Sequence, residues 1–126
     1  MILRHAERFA GKLRIVDLNE TSDGPVKVIA VSGRLDGVTA PVLGERLTTT
    51  LGPSSQKLLL ELSHLDYISS AGFRVLLIAA KRAHESDGQI VLSGIAGHVR
   101  QLFEVGGFLK LFRVFGTRDE GVSALR

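Results

Sequence analysis

The alternation of apolar and polar residues early in the chain predicts two β-strands. Residues 12–19 alternate and stop at a polar cluster that ends in Gly24 and Pro25, which is typical of a turn. Residues 26–32 are rich in β-branched residues and almost wholly apolar, as in a strand covered on both faces. We therefore expect these two strands to pair as a hairpin.

Helical spacing of apolar residues appears further along the chain. Thr39 and Pro41 suit the start of a first helix, which the pair Gly52 and Pro53 would end. The strongest helix pattern runs from Ser70 or Ala71 to about Glu85, because its apolar residues recur at helical spacing while its basic residues take another face. These apolar residues are Phe73, Leu76, Leu77, Ala80 and Ala83.

Short apolar runs between the helices predict the remaining strands. Residues 57–62 and 89–93 fit buried parallel strands, and residues 63–70 are expected to form a loop. Val99, Leu102 and Phe103 predict a short helix that ends at Gly106 and Gly107, and a last short strand is expected at 111–115. The order β–β–α–β–α–β–α–β predicts an α/β fold, in which helices pack against a mixed, mostly parallel β-sheet.

Size and composition indicate one ordinary globular domain. The chain has 126 residues, of which 44% are hydrophobic and 23% charged. It has no cysteine, which excludes disulfides, thiol nucleophiles and zinc–thiolate sites. The longest wholly apolar run, residues 75–80, is too short to span a bilayer, and charged residues near the start do not fit a signal peptide. We expect a cytoplasmic protein without a membrane span.

Several function classes lack their motifs. The net charge of +3 comes from basic residues scattered singly, which does not favour nucleic-acid binding. The four histidines lack metal-binding spacing, and no phosphate-binding glycine loop or complete GxSxG motif is present. We expect no metal, no cofactor and no enzymatic activity, although a carboxylate pair formed by Asp36 and Asp66 stays open.

Ser70 is the candidate for chemistry that remains. A hydroxyl at the amino end of a helix lies beside the free backbone N–H groups of Ala71, Gly72 and Phe73, and such a place suits a phosphate. The alternative, which helix statistics favour, is that Ser69 or Ser70 merely caps the helix.

Three blocks of the chain, residues 32–47, 58–83 and 90–115, resemble the signature blocks of the STAS domain. The similarity is to stand-alone anti-sigma factor antagonists of the SpoIIAA and RsbV type. Residues 66–76 match the core motif D-x-[IM]-x-S-[AS]-G-[LF]-x-x-L, and residues 35–41 match LDxxTAP. The resemblance implies a STAS fold for residues 12–126, preceded by an N-terminal extension, residues 1–11, of unknown order.

The resemblance also implies a partner-switching role. Unphosphorylated protein would bind an anti-sigma factor with GHKL-type serine kinase activity, phosphorylation of Ser70 would release it, and a PP2C-type phosphatase would reset the cycle. Several family members carry Asp directly before the phosphoserine, whereas this chain has Ser69, which is therefore the less favoured acceptor. The implied partner-binding residues are Asp36, Gly37, Thr39, Ser69, Ser70, Gly72, Phe73 and Arg74.

Alternatives accompany these assignments. Asp36 either supports kinase recognition or only shapes the turn before the first helix, and Asp66 is expected to be a loop or capping residue. Phe73 is either an exposed anchor or, as its helical spacing favours, part of the core. A rival function keeps the fold without the phosphorylation switch: a STAS subunit of a lipid-transport ABC system, or another structural binding module.

Overall fold

The computed structural model describes the backbone of residues 2–9, 12–53 and 55–126, and the side chains of residues 15–53 and 55–126. Three strands come first, where the sequence predicts two, and helices and strands then alternate as predicted except that β5 follows β4 directly. In chain order the elements are β1 (Ile2–Phe9), β2 (Lys12–Asp23), β3 (Val26–Leu35), α1 (Ala40–Leu51), β4 (Lys57–Glu61), β5 (Leu65–Ile68), α2 (Ser70–Glu85), β6 (Gln89–Ser93), α3 (Gly97–Val105), a 3-10 turn (Phe108–Leu111), β7 (Val114–Phe115) and α4 (Arg118–Leu125).

The strands form one mixed sheet in the order β1-β2-β3-β4-β6-β7, with β5 also paired to β3. The β1–β2 and β2–β3 pairs are antiparallel, and the other pairs are parallel. The hairpin of the second and third strands and the mostly parallel sheet that the sequence predicts are therefore confirmed.

Apolar residues of the sheet point to both faces, because successive side chains in a strand alternate. Leu58 and Leu60 of β4 pack in a large core with α1, α2 and α3, whereas Leu59 points to the other face. There it meets Val122 and Leu125 of α4 in a smaller core. Helices thus cover both faces of the central strands, which explains why the three central residues of β4 are all leucine.

An irregularity at Gly33 directs the last residues of β3 toward β5. The pairing register shifts between Gly33 and Arg34, and Gly33 has a φ of +96°. A Cβ at this position would overlap the backbone carbonyl of Ile15, so the site favours glycine. Residues 26–30 of β3 pair with β4, and residues 33–35 pair with β5.

Two stretches differ from or add to the predictions. Residues 63–70 were expected to form a loop, which is wrong: they include β5, whose 4 residues are too few to show a clear alternation. In the N-terminal extension, residues 2–9 form β1 and pair antiparallel with β2. Gly11, at which the predicted extension ends, lies outside the described residues.

The C-terminal part also departs from the predicted pattern. The last strand is shorter than expected, because residues 108–111 form a 3-10 turn before β7. Helix α4 is absent from the prediction, although the sequence carries its start signal. The Thr117 hydroxyl caps the helix, since it accepts a hydrogen bond from the Glu120 backbone N–H at 3.2 Å and donates to the Glu120 carboxylate at 3.0 Å.

Candidate functional site

The carboxyl ends of β3 and β5 meet at one edge of the sheet. Leu35 and Ile68, the last residues of these strands, are paired in register, and the Ser69 backbone N–H donates to the Leu35 carbonyl at 2.8 Å. After β3, a loop of residues 36–39 leads to α1. After β5, the chain enters α2 directly. The topology therefore places residues 36–39 beside the start of α2, at the edge where parallel sheets carry their sites.

The two serines at the start of α2 have different roles. Ser69 is the N-cap: it is half-buried, and its hydroxyl accepts a long hydrogen bond, 3.4 Å, from the Gly72 backbone N–H. Ser70 is the first helical residue and is exposed, and its hydroxyl has no hydrogen-bond partner among the described residues.

Asp66 was expected in a loop or as a cap, which is wrong, since it is an exposed residue within β5.

Asp36 holds the loop between β3 and α1 in shape. One carboxylate oxygen accepts hydrogen bonds from the backbone N–H groups of Val38, at 3.0 Å, and Thr39, at 3.1 Å. The Thr39 hydroxyl is buried; it accepts from the Asp36 N–H at 3.0 Å and can donate to the Arg34 carbonyl. The side chain of Thr39 thus does not cap α1, and Asp36 satisfies the loop N–H groups instead.

A cleft of about 400 Å³ lies between the starts of α1 and α2. It is lined by Gly37, Ala40, Pro41, Ser70, Ala71, Arg74 and Val75. Its surface is small and mostly apolar, apart from the Ser70 hydroxyl, the Arg74 guanidinium and backbone groups. Sequence reasoning missed Pro41, Ala71 and Val75 as lining residues, because only the contact of two helix starts reveals that they share a surface.

The residues predicted to bind a partner separate into two groups. Those that line the cleft and are exposed are Gly37, Ser70 and Arg74. The second group is buried and consists of Asp36, Thr39, Gly72 and Phe73. Ser69 is half-buried. The second group supports the backbone of the site, and the first presents functional groups to solvent.

Phe73 belongs to the hydrophobic core rather than to the exposed surface around the cleft. It is 6% exposed, its ring stacks on Phe108 with centroids 4.0 Å apart, and it meets the edge of Phe103 at 4.8 Å. The three rings join the first turn of α2 to α3 and the following 3-10 turn. This is the alternative that the helical spacing favours.

Gly72 allows α2 to lie close to the strands. A Cβ here would come within 2.6 Å of Ile68 Cγ1 and 3.1 Å of Leu35 Cβ. We expect Gly72→Ala to lower the free energy of unfolding by about 1–3 kcal/mol, as overpacking does. Gly37→Ala is the matched control, since no atom lies within 4 Å of its added Cβ. Equal stability of the two variants in urea unfolding would contradict the close packing.

A second group of side chains lies on the same edge of the sheet. The Arg34 guanidinium is 4.4 Å from the centroid of the Tyr67 ring, and the other stacking partner of Tyr67 is His98, at 6.3 Å. The sequence suggested His98 only as a metal candidate, and its place beside a tyrosine had no sequence signal. Among the described residues, no group of three metal-ligating side chains occurs.

The STAS domain model matches residues 11–121 of the chain. The chain belongs to the STAS domain family. This STAS domain is 34% identical over 99 residues to the protein named anti-sigma factor antagonist BtrV of Bordetella bronchiseptica, a match that covers 79% of this chain and 85% of BtrV. The family predicted from the three sequence blocks is confirmed.

Solved structures share the fold of this STAS domain. An anti-sigma factor antagonist from Mycobacterium paratuberculosis superposes with a TM-score of 0.79 at 24% identity, covering 88% of this chain and 94% of that one. The phosphorylated form of Bacillus SpoIIAA superposes with a TM-score of 0.67 at 16% identity, covering 86% and 99%. The predicted fold class is confirmed. Within the described ranges, no helix has the length and apolar content needed to cross a membrane.

Proposed function

We propose that this chain is an anti-sigma factor antagonist whose binding is switched by phosphorylation of Ser70. In the unphosphorylated state it binds an anti-sigma factor, which then gives up its sigma factor. The observation that carries the proposal is the exposed Ser70 hydroxyl, which has no partner among the described residues and lies at a helix start beside a cleft. The family membership and the name of the BtrV relative support the same role.

Ser70 suits the acceptor role better than Ser69 does. A kinase needs a hydroxyl that can enter its active site, and the Ser70 side chain is exposed, whereas the Ser69 oxygen accepts a hydrogen bond from Gly72. Phosphorylation of Ser69 would also disturb the N-cap, which is worth about 1 kcal/mol in typical helices. Modification of Ser70 leaves that cap in place.

The phosphorylation step uses ATP that the partner binds. The anti-sigma factor, a GHKL-type serine kinase, holds ATP with Mg²⁺. The Ser70 oxygen attacks the γ-phosphorus, the bond to the β-phosphate oxygen breaks, ADP leaves, and the hydroxyl proton passes to a base of the kinase. A PP2C-type phosphatase returns the serine by hydrolysis with water. The chain is a substrate in both steps and not an enzyme, and the supply of ATP would place the cycle in the cytoplasm.

Local electrostatics explains how one phosphate changes affinity. Phosphorylation adds about −1.5 to −2 charges and three strong acceptors. The phosphate lies at the positive end of α2, which tolerates it without a change of fold. A partner surface that fits this largely apolar cleft and its exposed Arg74 side chain loses that fit, because it must desolvate the phosphate or accept its repulsion.

The direct test of this function is release of a sigma factor. The complex of the anti-sigma factor and its sigma factor is mixed with one equivalent of this chain, and free sigma factor is measured by size-exclusion chromatography. We expect near-stoichiometric release by the unphosphorylated chain and little release by the same chain carrying phosphoserine at position 70. The proposal would be wrong if neither form displaced the sigma factor from its cognate complex.

Asp36→Asn tests whether the Asp36 charge acts in kinase recognition. The asparagine side-chain oxygen can still accept from the Val38 and Thr39 N–H groups, so the loop should persist and the loss of stability should not exceed about 1.5 kcal/mol. We expect phosphorylation of Ser70 to slow by about tenfold, equivalent to roughly 1.4 kcal/mol of transition-state stabilisation. Phosphorylation at the wild-type rate would leave Asp36 with a structural role only.

A further inference from the structure

Arg74 follows Ser70 by one turn of α2. Residues four apart on a helix are neighbours on its surface, with Cβ atoms about 5–6 Å apart. Both side chains are exposed, and both line the cleft between α1 and α2. The Arg74 guanidinium is therefore within reach of a group attached to the Ser70 oxygen.

Arg74 has no counter-ion among the described residues. It shares this with other exposed arginines, such as Arg82 and Arg118, whereas three arginines pair with carboxylates: Arg46 with Glu20 at 3.4 Å, Arg100 with Glu104 at 3.3 Å, and Arg126 with Asp23 at 2.7 Å. Around Arg74, the other residues that line the cleft carry no charged side chain. The cleft of the unphosphorylated chain thus holds a cation with no anion beside it.

We propose that Arg74 binds the phosphate on Ser70 and holds it within the chain's own surface, an inference that rests on the proposed function of Ser70. A guanidinium presents paired N–H donors that match two phosphate oxygens, which a lysine ammonium does not do. The positions along the helix also favour this pair. The phosphate on Ser70 would lie at the positive end of α2, and the Arg74 guanidinium lies one turn closer to the carboxyl end.

Phosphorylation would then change two features of the cleft surface together. It adds negative charge at position 70, and it engages a guanidinium that is otherwise free to meet an acidic group on a partner. The ion pair also stabilises the phosphorylated chain, because it ties the first two turns of α2 together. Arg74 thus acts as a positioning residue for the phosphorylated state.

The test uses chains in which phosphoserine is inserted at position 70 during synthesis by codon suppression, so no kinase is needed. The measured quantity is the change in melting temperature caused by the phosphate, in wild type, Arg74→Gln and Lys81→Gln. Lys81 is the matched control, because it is an exposed cation on the same helix. It lies about 16 Å from Ser70 along the axis of α2, at 1.5 Å per residue. That distance exceeds the Debye length of about 8 Å at physiological ionic strength.

We expect the phosphate to raise the melting temperature of wild type and Lys81→Gln by about 3 °C and that of Arg74→Gln by half of this or less. The Nε–H resonance of Arg74, followed by NMR, should shift and exchange more slowly only in the phosphorylated chain. An equal rise in Arg74→Gln, or an unchanged Nε–H resonance, would overturn the inference. Neither result depends on release of a sigma factor, so failure of this inference and failure of the proposed function are separate outcomes.

Discussion

Placing phosphoserine at position 70 is expected to weaken binding to the anti-sigma factor kinase by about 100- to 1,000-fold, which corresponds to roughly 3–4 kcal/mol. The physical reason is that the exposed Ser70 side chain lies in the small, mostly apolar cleft, where a dianion must be desolvated or repelled. Ser70→Asp adds one charge on a shorter side chain, so we expect a loss of about tenfold. Ser70→Ala adds no charge to the cleft and should bind within about threefold of wild type.

Isothermal titration calorimetry of the purified kinase with each variant measures these affinities. Ser69→Ala is the control: it removes the N-cap acceptor of α2 and should lower stability by about 1 kcal/mol while leaving the Ser70 hydroxyl in place. Its affinity should remain close to that of wild type. Equal affinities of Ser70→Asp, Ser70→Ala and the phosphorylated chain would contradict the switch.

Phe73→Ala is expected to cause the largest loss of stability, about 3–5 kcal/mol, the range for removing a buried aromatic ring. Phe73 is 6% exposed and contacts the Phe103 and Phe108 rings, so its removal leaves a cavity between α2, α3 and the 3-10 turn. Chemical unfolding in urea measures the loss.

Phe73→Leu separates packing from partner contact. Leucine fills much of the same space and should cost far less stability than alanine does. Because the ring faces the core, we expect the folded Phe73→Leu chain to bind the kinase with nearly wild-type affinity. A large loss of affinity in a well-folded Phe73→Leu chain would show that Phe73 touches the partner after all.

The fold could be predicted where local pattern and tertiary environment agree. The start of α2 at Ser70 and its end at Glu85 follow from regular apolar spacing, and residues 89–93 form the strand that their apolar run predicts. The short strand β5 could not be predicted, because its 4 residues show no clear alternation and its pairing with β3 is a contact between distant parts of the chain. Helix α4 has a weak apolar pattern, so the Thr-x-x-Glu sequence at its start, residues 117–120, was the available sign.

The site was predictable in position but not in the roles of its residues. The rule that sites lie at the carboxyl ends of parallel strands pointed to residues 63–73. The resemblance to the STAS family added the loop around residues 36–39. It could not separate the capping oxygen of Ser69 from the free hydroxyl of Ser70, since adjacent residues differ only in their backbone geometry. Burial of Thr39 and Gly72, and the shared cleft of Ser70 and Arg74, depend on how two helices pack.

The most direct test of the central claim is to map the phosphate. The chain is incubated with ATP, Mg²⁺ and the cognate kinase, and intact mass and peptide fragmentation are then measured, with Ser70→Ala and Ser69→Ala treated in parallel. The account predicts a single phosphate on Ser70 in wild type and in Ser69→Ala, and none in Ser70→Ala. A phosphate on Ser69, or a folded wild-type chain that no cognate kinase phosphorylates, would contradict it.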